Sequence, residues 1–318
     1  MMKFKLLLYF LLLNSFLIGP KCFSQTDISM ATNWYNRANY NPASIAREDY
    51  IYIFSDIQKQ WLGVNGSPKV LNVQASEYIY TLHSAFGISL VSDQLGLTNT
   101  INPLLTYAYR IKGLSDWSVS MGLSAGIFSR SVDGSLFEPG ILADPVLYNN
   151  LVTTLLPDAN TGIEFQSTHL IAGLASTHIL SIGKTDNAFL NSTHFYSYLI
   201  YKNTDSELLN YNAGVQVVKG PVLTILEGNA SVRFKKGTGL TTGPSEIFDI
   251  GLSYRTSKQL ILLLGFNITS NMRIGYVYDQ SFSVGFSSNS THEIMLEYRI
   301  PSKAASSCNC NKEGYWYY

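Results

Sequence analysis

Apolar and polar residues alternate with a period of two over most of the chain from Tyr50 onward. In the clearest stretch, residues 117–127, Trp, Val, Met, Leu, Ala and Ile alternate with Ser and Gly. The same alternation runs through residues 105–111, 248–255, 273–279 and 293–300. Because successive side chains of a β-strand point to opposite faces, each stretch has one apolar face and one polar face. The pattern predicts an all-β protein.

Strand length and the composition of the two faces favour a barrel in a membrane. The chain holds roughly fourteen such segments of about ten residues, which suits a tilted bilayer crossing, whereas soluble strands usually run about 5 to 6. They begin near Tyr50, Lys69, Ser84, Ile101, Trp117, Thr161, His169, Ser192, Tyr211, Val222, Ile247, Gln259, Met272 and Thr291. The polar face is rich in Gly, Ser and Thr, and Tyr and Trp lie near strand ends. Alternation alone also fits a soluble sandwich or a lipocalin-like barrel, but these details predict a transmembrane antiparallel β-barrel of about 14 strands with long loops, over residues 50–300.

Composition supports this interpretation. Charged residues make up 14% of the 318 residues, with 22 basic and 22 acidic side chains, so the formal net charge is zero. Soluble domains carry about 25% charged residues, so much of this surface is not expected to face water. Neutrality argues against a nucleic-acid partner, which selects a basic face.

The two ends of the chain differ from the strand region. Lys3 and Lys5 precede an apolar run at residues 6–13, which predicts a signal peptide over residues 1–24 with cleavage before Gln25; a membrane-anchor helix is the alternative. Residues 25–49 are interpreted as an N-terminal periplasmic segment and 301–318 as a C-terminal tail. The tail contains Cys308 and Cys310, whose redox state stays open. Residues 129–160, with three prolines, are expected to form a long loop.

No constellation predicts catalysis, a cofactor or a metal. Residues 122–126 match the Gly-x-Ser-x-Gly pattern of esterases, but that motif needs a strand, a turn and a helix around its serine, here Ser124. Alternation runs straight through it, with both glycines and Ser124 on one strand face. The five histidines lie on different predicted strands without a partner at ligand spacing, and interior or interfacial packing is expected.

An ordered set of short motifs carries a family resemblance. The motif residues are Asn41, Pro42, Ala43, Trp61, Gly63, Pro68, Tyr278, Asp279, His292 and Glu293. In this order, and near these ends of the chain, they resemble the PorP/SprF family of type IX secretion membrane proteins. The resemblance spans about residue 36 to the C-terminal tail. Ala46 departs from it, because the family often has Gly there.

The resemblance implies an outer-membrane barrel of the type IX secretion and gliding machinery. Implied partners are outer-membrane lipid, periplasmic or translocon proteins of the secretion system, and the C-terminal domain of a secreted adhesin that the barrel delivers or retains. It implies no catalytic residues, so the chain is expected not to be an enzyme. A passive outer-membrane porin or substrate channel is the alternative function.

Overall fold

The computed structural model describes residues 30–47, 50–113, 116–133, 151–182, 191–203, 205–206, 208–235, 246–282 and 290–301, without the side chains of Leu151 and Pro301. The predicted signal peptide and the two tail cysteines lie outside these residues. None of the helices in the described ranges has the length and apolar character needed to cross a membrane.

Fourteen antiparallel strands form one closed barrel, in which each strand pairs with its neighbours in sequence and β1 pairs with β14. The strands are β1 Tyr50–Gln60, β2 Lys69–Ile79, β3 Ser84–Leu95, β4 Thr98–Lys112, β5 Trp117–Asp133, β6 Leu151–Ser167, β7 Leu170–Thr177, β8 His194–Asn203, β9 Leu209–Lys219, β10 Thr224–Lys235, β11 Glu246–Arg255, β12 Gln259–Asn267, β13 Met272–Ser281 and β14 Ser290–Pro301. The predicted fold class is confirmed.

Apolar side chains cover the outside of this barrel, unlike the outside of a soluble protein, because the strand pleat points alternate residues outward and inward. Leu104 is 8% exposed and its neighbour Leu105 is 69% exposed, because the first points into the barrel and the second away from it. Asp56 and Gln58 are buried on either side of the exposed Ile57. An apolar outer face is the arrangement that hydrocarbon requires, while the interior combines buried polar side chains with an apolar cluster that includes Phe54 and Met295.

The predicted strand starts agree with the structure to within three residues, except at β6. That strand begins at Leu151, and β5 continues to Asp133, so the predicted loop at residues 129–160 is wrong at both of its ends. Pro157 lies inside β6, opposite Ile127 of β5. The pairing of β6 with β7 covers only residues 161–166, so Pro157 lies where β6 has a partner on one side. A proline without an N–H donor is tolerated at such an edge.

The two mouths of the barrel differ in their connections. We call the mouth where β1 begins and β14 ends the terminal mouth, and the opposite one the loop mouth. The two longest connections in sequence join strand ends at the loop mouth: one runs from Asp133 to Leu151 and the other from Thr177 to His194. Exposed aromatic side chains encircle much of the terminal mouth: Phe86, Tyr107, Tyr109, Trp117, Phe165, Tyr201, Tyr211 and Tyr298. Such rings favour the interface between hydrocarbon and water.

Candidate functional site

A segment at the start of the described chain fills the barrel interior. It contains three short 3-10 helices, η1 Ala31–Trp34, η2 Arg37–Asn39 and η3 Pro42–Ile45. We call residues 30–47 the plug. Its side chains and backbone bond to inward-facing residues of strands on opposite sides of the barrel, as the contacts below show. The residues predicted as a periplasmic segment therefore lie, in their described part, within the lumen, and their compartment stays a prediction.

The first contact holds η1 at the seam where β1 meets β14. Both carboxylate oxygens of Glu293 accept from the Ala31 backbone N–H, at 2.9 and 3.1 Å, and one accepts from the Thr32 N–H at 3.0 Å. Gln58 Nε2 donates to the same carboxylate at 2.6 Å. The Thr32 hydroxyl donates to Asp56. Because a helix start has unpaired N–H donors, a carboxylate here satisfies groups that would otherwise be buried without a partner.

The second contact uses two aromatic side chains of the plug and two wall carboxylates. Trp34 Nε1 donates to Glu227 at 2.5 Å, and Arg255 Nε donates to the other oxygen of that carboxylate at 2.7 Å. The Tyr35 hydroxyl donates to Asp249 at 3.0 Å, and Arg273 pairs with the same carboxylate. Burial raises the pKa of the Tyr35 hydroxyl well above its usual value, and the Asp249 charge adds to the shift. Each wall acid therefore joins the plug to a wall arginine.

The third contact is a buried ion pair between the plug and β6. Arg37 Nε donates to Glu164 at 2.8 Å and its Nη2 donates to the other oxygen at 3.3 Å. Tyr198 of β8 donates to Glu164 at 2.5 Å and accepts from Asn41 Nδ2 at 2.7 Å. Burial lowers the pKa of Arg37, but the Glu164 carboxylate, together with Tyr198 and Tyr40, raises it by more, so the pKa lies above its usual value. Arg37 stays charged, so the pair is permanently ionic.

The motif Asn41-Pro42-Ala43 lies against a pair of wall glycines. Gly122 of β5 and Gly162 of β6 are directly opposite each other in the sheet. A Cβ at Gly122 would collide with the backbone of Pro42 and Ala43, and a Cβ at Gly162 would collide with the Asn41 side chain. The Asn41 side chain also accepts from the Ala43 N–H at 3.0 Å, which caps η3. The two glycines therefore make the space that the plug occupies.

This geometry explains the esterase-like motif. Alternation does continue through residues 122–126, and Gly122 and Ser124 both face the lumen. The Ser124 hydroxyl lies 2.8 Å from the hydroxyl of Thr106 on β4. The motif forms part of a wall that receives the plug, and no strand-turn-helix surrounds its serine.

The remaining motif residues divide between the two faces of the barrel. Asp279 faces inward, accepting from Gln259 at 3.1 Å with Arg255 at 3.5 Å. Tyr278 and His292 face outward with ring centroids 5.3 Å apart. The connection between β1 and β2 holds Trp61, Gly63 and Pro68, and there Trp61 and Gly63 have φ of 48° and 94°. The positive φ explains Gly63, since glycine adopts it without strain.

Two histidines do have acidic partners, which the sequence did not indicate. His169 Nε2 lies 3.7 Å from Asp205 Oδ2 in an exposed pair, whereas the other pair is buried. His178 Nδ1 lies 2.9 Å from Asp158 Oδ2, and His178 Nε2 lies 2.8 Å from Asn191 Nδ2. His178 and Asn191 border a cavity of about 110 Å³ between the plug and strands β2 to β8, whose polar lining includes Asn39, Asn72 and Gln74. Within the described ranges, no three His, Cys, Asp or Glu side chains are grouped as a metal site would require.

Sequence reasoning missed the wall acids that hold the plug. Asp56, Glu164, Glu227 and Asp249 occupy inward positions of predicted strands, and a carboxylate at such a position needs a buried partner. Inward acids on many strands, together with Trp34 and Arg37 in a polar leader, were the available signal. Pairing each acid with its partner required the strand register.

Comparison with known proteins gives a family and a set of distant folds. The family model described as type IX secretion system membrane protein PorP/SprF matches residues 23–298. No curated protein matches the chain. Similar solved structures include a FadL homologue of Pseudomonas aeruginosa, at 12% identity and a TM-score of 0.46, covering 87% of this chain and 99% of that one.

Two further structures have comparable similarity. The toluene transporter TbuX of Ralstonia pickettii has 14% identity and a TM-score of 0.48, covering 89% of this chain and 96% of that one. The outer membrane protein Omp33 of Acinetobacter baumannii has 8% identity and a TM-score of 0.44, covering 80% and 100%. At these identities the likeness concerns the fold alone. The family match covers most of the chain and agrees with the closed barrel, so this protein belongs to the PorP/SprF family of type IX secretion system membrane proteins and is located in the outer membrane.

Proposed function

We propose that this chain is a closed barrel that holds protein partners of the type IX machinery and is neither a pore nor an enzyme. The partners are a periplasmic component that it anchors or the C-terminal domain of a secreted adhesin that it delivers and retains. The observation that carries the proposal is the plug. A lumen crossed by a segment with at least three sets of buried polar contacts is suited to rigidity, and it leaves recognition to the mouths.

The alternative, a passive porin or substrate channel, requires a water-filled path through the interior. Ala31, Asn36 and Asn41 of the plug are fully buried against the wall, and Arg37 is 2% exposed. An opening would have to expose the Arg37–Glu164 pair and the Glu227 carboxylate in one step. Leaving one partner of such a pair buried without the other costs about 3–5 kcal/mol, so a partial opening that keeps Glu164 buried is unfavourable.

The loop mouth is the proposed site for an adhesin domain. Its two longest connections give it more chain than any connection at the terminal mouth. In bacterial barrels the short turns face the periplasm and the longer loops face outward. An external partner would therefore meet the loop mouth, and a periplasmic component would meet the terminal mouth.

Conductance in planar bilayers tests the closed barrel. The intact protein is expected to give no large, stable open channels, whereas a variant lacking residues 30–46 should give them. Large stable channels from the intact protein would favour the porin.

Copurification tests the partners. The protein is isolated from native membranes in mild detergent, and bound proteins are identified by mass spectrometry. Secretion components or a surface adhesin are expected, and their loss on exchanging residues 178–193 for a short turn would locate an adhesin at the loop mouth. Recovery of neither class would contradict the proposal, even if the barrel proved closed.

A further inference from the structure

A row of basic side chains crosses the outer face of the barrel near the loop mouth. Lys59 of β1 is directly opposite His292 of β14 on one side and Lys69 of β2 on the other. Tyr278 of β13 continues the row beyond His292, and Gln94 of β3 continues it beyond Lys69. We call these five residues, three of which are basic, the basic row.

The basic row faces the membrane. Three members of the row have a neighbour in sequence that points into the lumen. These neighbours are Gln58, Val70 and Glu293, and they are 1%, 2% and 1% exposed. Because side chains alternate along a strand, the row must point outward. Residues directly opposite each other in antiparallel strands have Cβ atoms about 5 Å apart, so the two lysines and the histidine are adjacent.

This arrangement is unfavourable for the protein alone. Like charges directly opposite each other destabilise a strand pair. Among the described residues, no ion pair to Lys59 or Lys69 is present. The acids next to members of the row in sequence, Asp93, Asp279 and Glu293, are on inward positions. The connections 61–68, 96–97 and 283–289 contain no Asp or Glu. An anion from outside the chain would offset the repulsion.

The surroundings indicate what carries that anion. Ile57, Leu71 and Ile294 lie one step deeper on the same outer face and are 57%, 39% and 58% exposed. A lysine at a strand end keeps its stem against such apolar side chains and its ammonium group at headgroup level. His292 is held by the Tyr276 hydroxyl, which lies 2.6 Å from its Nδ1, so the ring is fixed within the row.

We propose that the basic row binds the phosphate of a lipid headgroup in the outer leaflet. Two ammonium groups and an imidazole supply N–H donors to the phosphate oxygens, and the Tyr278 hydroxyl extends the polar surface. The apolar side chains below contact the acyl chains. We place the row in the outer leaflet because it lies at the loop mouth, and in bacterial barrels the longer loops face outward. The site is independent of which protein the barrel holds.

Lipid binding to the intact protein in nanodiscs or detergent, followed by native mass spectrometry, tests the proposal. The probes are diphosphoryl lipid A, the same lipid A with both phosphates removed, and inorganic phosphate. The wild type is expected to bind diphosphoryl lipid A at least about tenfold more tightly than the dephosphorylated form, because each basic group near a membrane surface contributes measurably to anionic lipid binding. Equal binding of both lipids would overturn the proposal without any variant.

Variants locate the site. Lys59→Gln combined with Lys69→Gln should lose about tenfold in affinity for diphosphoryl lipid A, whereas Lys59→Arg combined with Lys69→Arg should retain it. Lys219→Gln is the matched control, because Lys219 is an outward lysine at the same mouth, opposite Phe195 and Thr224 rather than another base. Unchanged binding by a folded glutamine variant would overturn the proposal, as would inorganic phosphate that competes as well as the lipid.

Discussion

The two sides of the lumen hold the plug by different means. Strands β10, β11 and β14 present carboxylates to η1 and to Tyr35, and each carboxylate has a charged or amide partner in the wall. The β5–β6 side presents glycines to η3 at close range, and neutral groups of the wall bond to this half of the plug: Asn41 donates to Tyr198, and the Ala46 carbonyl accepts from Arg110. The first half of the plug is therefore fixed by wall carboxylates, and the second half by close packing on glycines together with hydrogen bonds that use no wall carboxylate. Arg37 lies between them and joins β6 by an ion pair.

The ion pair is expected to give the largest effect. Arg37→Ala leaves Glu164 as a buried carboxylate without its cation, so the plugged state should lose about 3–5 kcal/mol. The unfolding midpoint in detergent, followed by the heat-dependent shift on gels, measures the loss. Combining Arg37→Ala with Glu164→Ala should recover part of it, because the unpaired charge is gone. An Arg37→Ala protein as stable as the wild type would show that the pair does not hold the plug.

The glycine side is tested by adding a side chain. Gly162→Val should displace Asn41 and destabilise the plugged state by about 1–3 kcal/mol, as overpacking does. Gly228→Val is the matched control, because Gly228 is also in a strand and a Cβ there meets nothing within 4 Å. Bilayer conductance and unfolding midpoints of the two variants are compared. Equal effects would mean that the loss arises from the strand and not from the plug.

Removing a single hydrogen bond between η1 and the wall should have a smaller effect on stability. Trp34→Phe keeps a ring in place but removes the donor to Glu227, which costs about 1–3 kcal/mol if the acceptor is left unsatisfied. Arg255 still donates to Glu227, so the lower end of this range is expected. Denaturant unfolding measures the change. If the loss were as large as that of Arg37→Ala, the contact between η1 and Glu227 would hold the plug as strongly as the ion pair does.

Alkaline pH is expected to produce the smallest change in the stability of the plugged state. Burial raises the pKa of the Tyr40 hydroxyl above its usual value, so the folded state keeps a proton that the released plug loses. The contribution is complete below about pH 10, the ordinary tyrosine pKa, and is lost as pH rises above it. The unfolding midpoint should fall above that pH, and less steeply in Tyr40→Phe. Tyr211→Phe, at an exposed ring outside the plug, is the control for loss of a tyrosine hydroxyl.

The fold was largely predictable and the plug was not. Alternation identified residues 117–127 as a strand because a lipid-facing and a lumen-facing side impose strict period two. The polar leader gave no such signal, since the 3-10 turns at Ala31, Arg37 and Pro42 have no period and are ordered by the wall. The error at residues 129–160 had a local cause: Pro157 indicates a loop unless its strand has an unpaired edge.

The position of η1 links the leader to the closure of the barrel. Glu293 on the last strand bonds to Ala31 and Thr32, and Asp56 on the first strand bonds to Thr32, so one turn of the leader bridges the two strands whose pairing closes the sheet. A barrel closed without the leader would leave these two acids facing an empty seam, so the leader favours the paired ends of the sheet over separated ones.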